Sequence, residues 1–320
     1  MIWLSWRQHR NQLLAAALVI AALSAAYLTM RGALESYLRT SGLIECLSRP
    51  DEGCGDLIGG LRGQYPVLLD ALPYLNLVPA LVGLFWGAPL VAGEVEAGTH
   101  RLTWAQGVGR QRWLWTKVTL LGAGCVVFGL IAGVLDRWFL DPYFRAGAIS
   151  PVQRNWIGLL GVAPAGYALF AFTLGAVVGT YVRRNLPAMV ATLAVFVPVR
   201  FAWESIRYRL TSPVRAAYPL HAVQPAGISR QDWRLDMTSL VDEAGNAVGP
   251  EQAARWCAGA SGGDKGGLDG CLAAHGVQRL DWYVPAGRFW HLQALDTGVF
   301  ATLAAFLLVV LALRVARRVG

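Results

Sequence analysis

The residues able to do chemistry are few and scattered. Gly259-Ala260-Ser261-Gly262-Gly263 fits the G-x-S-x-G pattern, in which a serine nucleophile sits on a sharp turn between a buried strand and a helix. Its surroundings are a polar, Gly-rich stretch, so a flexible loop is the better reading, and the nearby His275 adds little. The five histidines, His9, His100, His221, His275 and His291, form no H-E-x-x-H, and the cysteines lack metal-site spacing. Neither lysine, Lys117 or Lys265, stands in a G-x-x-x-x-G-K-[ST] context, so no Walker A nucleotide site is present. No catalytic residue and no metal ligand is assigned, and the chain is expected not to be an enzyme.

Charges near membrane depth are Arg200 and Glu204 at helical i, i+4 spacing, Asp136 beside Arg137, and Asp296. Such groups are functional candidates by default. Their expected positions at helix ends favour snorkelling or interfacial ion pairs over a proton relay. The most informative segment is 93–117, which opens with Glu94 and Glu96 and closes with Arg110, Arg112 and Lys117. Acidic residues at its start and basic ones at its end suit a helix dipole, while Trp104, Trp113 and Trp115 suit a membrane interface. It is expected to lie along the inner surface and present a charged edge to a soluble partner.

The elements that must position these residues follow from composition. Of 320 residues, 55% are hydrophobic and 15% charged, against about a quarter charged in a soluble domain. With a mean hydropathy of +0.42, the chain is a polytopic membrane protein. Its net charge of +8 then has a topological explanation before a nucleic-acid one, and no nucleic-acid partner is expected. A bilayer core needs about 20 mostly apolar residues per helix, and six windows approach this: 13–30, 72–92, 118–135, 157–182, 186–203 and 292–313. The denser basic flanks, including Arg7, Arg10, Arg101, Arg110, Arg112, Lys117, Arg183, Arg184 and Arg314, are taken as cytoplasmic, with both termini inside. Arg7 and Arg10 before an apolar run that reaches Ser24-Ala25-Ala26 also have the form of a secretory signal. The run is long for a signal core, so an uncleaved first span is preferred.

Cysteine placement is an independent check, since disulfides persist on the oxidising side. Cys46 and Cys54 fall in the first outer loop, Cys257 and Cys271 in the last, and Cys125 inside the third span. Two local bridges, Cys46–Cys54 and Cys257–Cys271, are expected, although four cysteines allow three pairings and free thiols stay open. The fold class is thus an all-α polytopic membrane protein with six transmembrane helices and a small extracytoplasmic disulfide-tied domain between helices five and six.

Three domains are expected: 1–206 with helices one to five, 207–291 outside the membrane, and 292–320 with helix six and a basic tail. Residues 1–12 suit either a helix in the headgroup region or an ordinary aromatic and basic flank. In the outer domain, 233–241 reads as a strand followed by a turn at 242–246, residues 251–257 as helical, and 259–270 as a flexible loop. Gly129-x-x-x-Gly133 and Gly175-x-x-x-Gly179 permit close helix approach, and bundle packing is favoured over a dedicated dimer face. Pro79, Pro89, Pro164 and Pro198 fit helices that line a pathway.

The chain resembles the transmembrane subunits of the ABC-2 type transporter family. The family's segment after its second span runs Glu, a short gap, Gly-Thr, an apolar stretch, a small residue with Arg, then Lys at the start of the third span. Glu94 or Glu96, Gly98-Thr99, Arg110 and Lys117 occur here in that order, with Val108-Gly109 where the family often has proline before its arginine. Tyr283-Val-Pro-Ala-Gly-Arg-Phe-Trp-His-Leu-Gln293 is similar to the approach to the sixth span in permeases of Gram-positive actinobacteria. The resemblance implies a permease subunit in the bacterial plasma membrane, paired with a second permease subunit, expected to be a second copy of this chain. Separate ABC ATPase subunits holding ATP and Mg would drive it, this chain binding no cofactor, and export is implied more than import. Glu94, Glu96, Gly98, Thr99 and Arg101 would form the surface that couples to the ATPase, with Arg110 and Lys117 anchoring its far end. The alternative is a non-transporting sensor or immunity-type protein whose outer domain binds a ligand.

Overall fold

The computed structural model describes residues 2–49, 53–96, 110–220, 222, 227–258 and 265–318. Six long helices are apolar enough to cross a membrane. They are α1 (Ile2–Thr40), α2, α3 (Arg110–Ala146), α4 (Ala163–Val182), α5 (Asn185–Leu210) and α6 (Phe289–Arg318). The second, α2, is assembled from consecutive pieces: Pro66–Ala71, a tight 3-10 stretch Leu72–Leu77, Val78–Val82, a wide π turn Gly83–Gly87, and Ala88–Glu96. Prolines at 66, 73, 79 and 89 remove backbone donors along it, which accounts for the changes of helical type.

Helix α4 is the hub. In its apolar window 78% of residues are buried, against 6% for α1, so α4 is surrounded by protein and α1 lies at the rim. The expected span 157–182 is shorter at its start, because residues 158–162 turn before Ala163. Gln293 of α6 explains the new start, since the N–H groups of Val162 and Ala163 both donate to its Oε1 at 3.0 and 2.9 Å. Two of the helix's orphan donors are thereby satisfied.

Glycines set the helix spacing. A Cβ at Gly179 would lie 2.6 Å from the Ala88 carbonyl oxygen, and one at Gly175 would lie 2.7 Å from the Ala88 nitrogen. A Cβ at Gly129 would lie 2.5 Å from Ala165 Cα, and one at Gly133 would collide with the Gly161 carbonyl. Both small-residue pairs therefore serve contacts within this chain, α4 to α2 and α3 to the start of α4, as bundle packing requires.

Helices α1 and α3 are 39 and 37 residues long, roughly 55 Å or more at about 1.5 Å per residue, well beyond the ~30 Å bilayer core. Their overhang builds a cap at the end of the bundle opposite the termini. The first loop is thus shorter than the sequence suggests. Its start, through Thr40, continues α1, and two short helices, Leu43–Ser48 and Gly55–Arg62, fill much of the rest. The Cys46–Cys54 disulfide joins them. Leu34, Leu38, Leu43, Leu61, Phe139 and Tyr143 are fully buried there and merge with Trp156, Val284 and Phe289. Ion pairs cross the rim, Arg31 to Asp141 at 3.4 Å and Arg145 to Glu35. Because α1 runs unbroken past residues 24–26 and buries Tyr27, Leu34 and Leu38 in this core, its far half is an integral part of the cap. The N-terminal segment is likewise continuous with α1.

Between α5 and α6 lies a three-stranded antiparallel sheet of order β1-β3-β2, with β1 Val214–Pro219, β2 Trp233–Val241 and β3 Gln278–Val284. The sequence indicates β2 and its turn, whose Asp242 carboxyl is held below the usual carboxylate range by the Asn246 N–H. The sheet is an addition to an otherwise all-helical chain, because β1 and β3 are short and pair only with each other and β2. The expected flexible stretch 259–270 also needs correction, since Lys265–Ala274 is a helix. Its Leu272 and the Cys257–Cys271 disulfide join Leu220, Val248 and Val277 in a separate small core. Burial of Leu272 and the tether at Cys271 outweigh the glycines once that core exists. Removing this bridge by Cys257→Ser, which opens a loop of 14-residue separation, should cost about 3 kcal/mol locally. Hydrogen exchange over Lys265–Ala274 should accelerate while α4 stays protected.

Candidate functional site

At the terminal end of the bundle, the ends of α2, α3, α5 and α6 meet. Glu96 is exposed, and its Oε2 accepts the Asn185 N–H at 2.9 Å, so the carboxylate sits at the N-terminus of α5 where the helix dipole favours negative charge. A Cβ at Gly93 would touch the Asn185 side chain at 3.4 Å. The chain reverses between α4 and α5 through Arg183, whose φ of 58° is left-handed. On the other flank Gln111 Nε2 donates to the Ala312 carbonyl at 2.9 Å, and the Arg314 guanidinium lies 4.2 Å from the Tyr181 ring centre.

Glu94 lies on the same last helical piece of α2 as Glu96, but its side chain is outside the described residues, as is that of Arg110, which opens α3. Gly98, Thr99 and Arg101 lie outside the described residues altogether. Lys117 is buried in α3, its ammonium 5.0 Å from the Trp113 ring centre. It is placed to hold α3 in the bundle rather than to face a soluble partner. Segment 97–109 connects the last helical piece of α2, tied to α5 by the Glu96–Asn185 hydrogen bond, with the start of α3.

At the cap end, the charges noted in the sequence are drawn together across helices. Asp296 of α6 is fully buried and accepts three donors: Tyr167 Oη of α4 at 2.7 Å, Trp203 Nε1 of α5 at 2.8 Å, and Arg207 Nη1 of α5 at 2.7 Å. This charge-assisted cluster joins three helices. Arg200, two turns before Arg207 on nearly the same face of α5, pairs with Glu204 at 3.6 Å, donates to Asn76 Oδ1 at 3.1 Å, and stacks 4.3 Å from the Tyr167 ring. The Arg200–Glu204 ion pair agrees with the i, i+4 spacing. Arg137 does not pair with its neighbour Asp136: it lies over the Phe289 ring at 4.5 Å, and Asp136 accepts Tyr27 Oη at 2.8 Å. Adjacent residues on a helix point about 100° apart, so sequence neighbours are poor partners.

Sequence reasoning missed Arg207 as the Asp296 partner, 89 positions away. The available signal was Trp203 and Arg207 at i, i+4, which places an indole donor and a guanidinium on one face of α5. Cys257, Cys271 and His275 come together, but the disulfide occupies both sulfurs, so the group is no cation site. Ser261 lies outside the described residues.

These features define a multi-pass helical membrane protein with a buried ionic cluster and a disulfide-tied cap. Residues 16–207 match the family described as ABC-2 membrane transporter related, and the chain belongs to that family of transporter permeases. The match covers most of α1 through most of α5 and stops before the sheet and α6. No curated protein and no solved structure matches the chain.

Proposed function

We propose that the chain is the permease subunit of an ATP-driven exporter, paired with a second copy of itself and driven by separate ATPase subunits. The observation that carries this is the family match over residues 16–207, which includes the segment between Glu96 and Arg110. A base tied to the bundle is what a coupling element needs, because push from a partner is transmitted only if the base does not yield. Nucleotide and Mg reside on the partner subunit. The terminal end with its basic residues faces the cytoplasm and the cap faces the oxidising side. That orientation is supported by the position of both disulfides in the cap and its adjoining sheet domain.

Glu94→Gln with Glu96→Gln separates coupling from structure. Glutamine keeps an acceptor for the Asn185 N–H but removes both charges, so insertion and thermal stability should hold within about 0.5 kcal/mol. ATPase added to the variant should then hydrolyse ATP at the rate it has with no permease present. Affinity purification in mild detergent should yield a stoichiometric ATPase with the parent chain and little with the double variant. A clean preparation that contains no ATPase would sink the reading, and so would undiminished coupling in the variant.

A further inference from the structure

The cap end of the bundle holds a cleft of about 800 Å³ between the start of α2, the loop after α3 and the cap-side part of α5. Its charged lining is Arg62, Arg154 and Arg200 against Asp70 and Glu204, one guanidinium in excess. Glu204 is shared, 3.3 Å from Arg154 Nε and 3.6 Å from Arg200 Nη1. Arg200 is 4% exposed, yet its Nε and Nη1 make no hydrogen bond among the described residues. A buried guanidinium whose Nη1 meets Glu204 only at ion-pair distance and whose Nε makes no hydrogen bond is costly unless something else accepts from it.

Directly behind lies a second cavity of about 220 Å³, lined by α1, α2, α3 and α4 with apolar groups such as Ile20, Leu23, Phe128, Ala132 and Ala168. Asn76 lines both spaces. It forms the divide through its bond to Arg200, which only a glycine at position 158 leaves room for, since a Cβ there would strike both side chains. Asp136 stands in the wall of the apolar crevice and accepts Tyr27 Oη, so that donor comes from the chain itself. Polarity therefore runs one way: cationic toward the cap, apolar toward the membrane.

We propose that these two cavities form one site for a single-chain anionic amphiphile, its headgroup accepting from the incompletely hydrogen-bonded Arg200 guanidinium beside Arg154 and its hydrocarbon tail entering the crevice past Asn76. That such a molecule is the cargo rests on the permease reading; that it binds does not.

The test is equilibrium binding of radiolabelled lysophosphatidylglycerol to the full chain in phosphatidylcholine nanodiscs, corrected for uptake by empty discs. No ATPase is present, so a failure here leaves the permease reading intact, and a missing ATPase partner leaves the site intact. Saturable binding near one per chain is expected. Lysophosphatidylcholine, with the same tail, and glycerol phosphate, with a comparable anionic head and no tail, should each compete about tenfold less well or worse. Arg200→Gln should weaken binding about tenfold, and Ala132→Phe, which fills the crevice, should weaken it comparably. Should Arg200→Gln fail to fold, Arg154→Gln at the exposed edge carries the same expectation with a smaller loss. Equal competition by lysophosphatidylcholine, binding by glycerol phosphate alone, indifference to Ala132→Phe, or binding no greater than to empty discs would each overturn the proposal.

Discussion

Asp296→Ala is expected to cost about 3–5 kcal/mol and to leave little folded protein in detergent. The substitution strips three donors of their acceptor at once, those of Tyr167, Trp203 and Arg207. It also takes its carboxylate from a guanidinium that is 2% exposed in the ion pair. The penalty is dominated by that buried charge, not by the lost attraction of the pair. Two further variants separate these causes. Asp296→Asn keeps one acceptor but no charge and should fall between alanine and the parent. Asp296→Leu combined with Arg207→Leu removes both charges and should recover most of the loss, because a buried pair replaced by apolar groups is close to neutral. Thermal unfolding followed by size-exclusion fluorescence reads all three, and an Asp296→Ala protein that melts with the parent would refute the assignment of this cluster as the tie between α4, α5 and α6.

Gly175→Leu is expected to force two helices of the bundle apart. Its new side chain would meet backbone atoms of α2, the Ala88 nitrogen at 2.7 Å and the Gly87 carbonyl carbon at 3.0 Å, with the Gly83 carbonyl oxygen nearer still. Backbone cannot step aside as a side-chain tip can, so the helices must separate, and a loss of about 3 kcal/mol or more follows. The π turn at Gly83–Gly87 lies in this contact, so the damage should also disturb α2 and the base of the segment after it. Gly32→Leu on α1 is the matched control, with nothing within 4 Å of a new Cβ. It should be neutral or slightly stabilising, since leucine is the better helix former. Equal melting temperatures for the two variants would mean that α2 and α4 are not in backbone contact.

The sequence by itself determined the six helices and the family, and it made Cys46–Cys54 and Cys257–Cys271 the expected bridges, both of which form. Each of these is local or additive. A run of about 20 apolar residues crosses a bilayer because its backbone bonds are satisfied internally. Cys46 and Cys54, eight residues apart, find each other because little chain lies between them. The i, i+4 pair Arg200–Glu204 was legible for the same reason.

Only the tertiary structure decided what depends on distant partners. Helices α1 and α3 overshoot the membrane because their polar, aromatic ends bury one another, and hydropathy windows stop where charges begin. The strands β1 and β3 have few residues and no hydrophobic alternation strong enough to stand alone, so their pairing becomes visible only when the sheet closes. Gln293 marks the start of α4 from 130 positions away. Asp296, a lone acid at the head of α6, became the acceptor for three donors from two other helices. Arg200 changed from one half of a local ion pair into a lining group of the cleft, bonded to the Asn76 that divides it from an apolar crevice. Each of these outcomes follows from long-range packing, which brings a buried charge to the only groups that can satisfy it and leaves no trace in residue spacing.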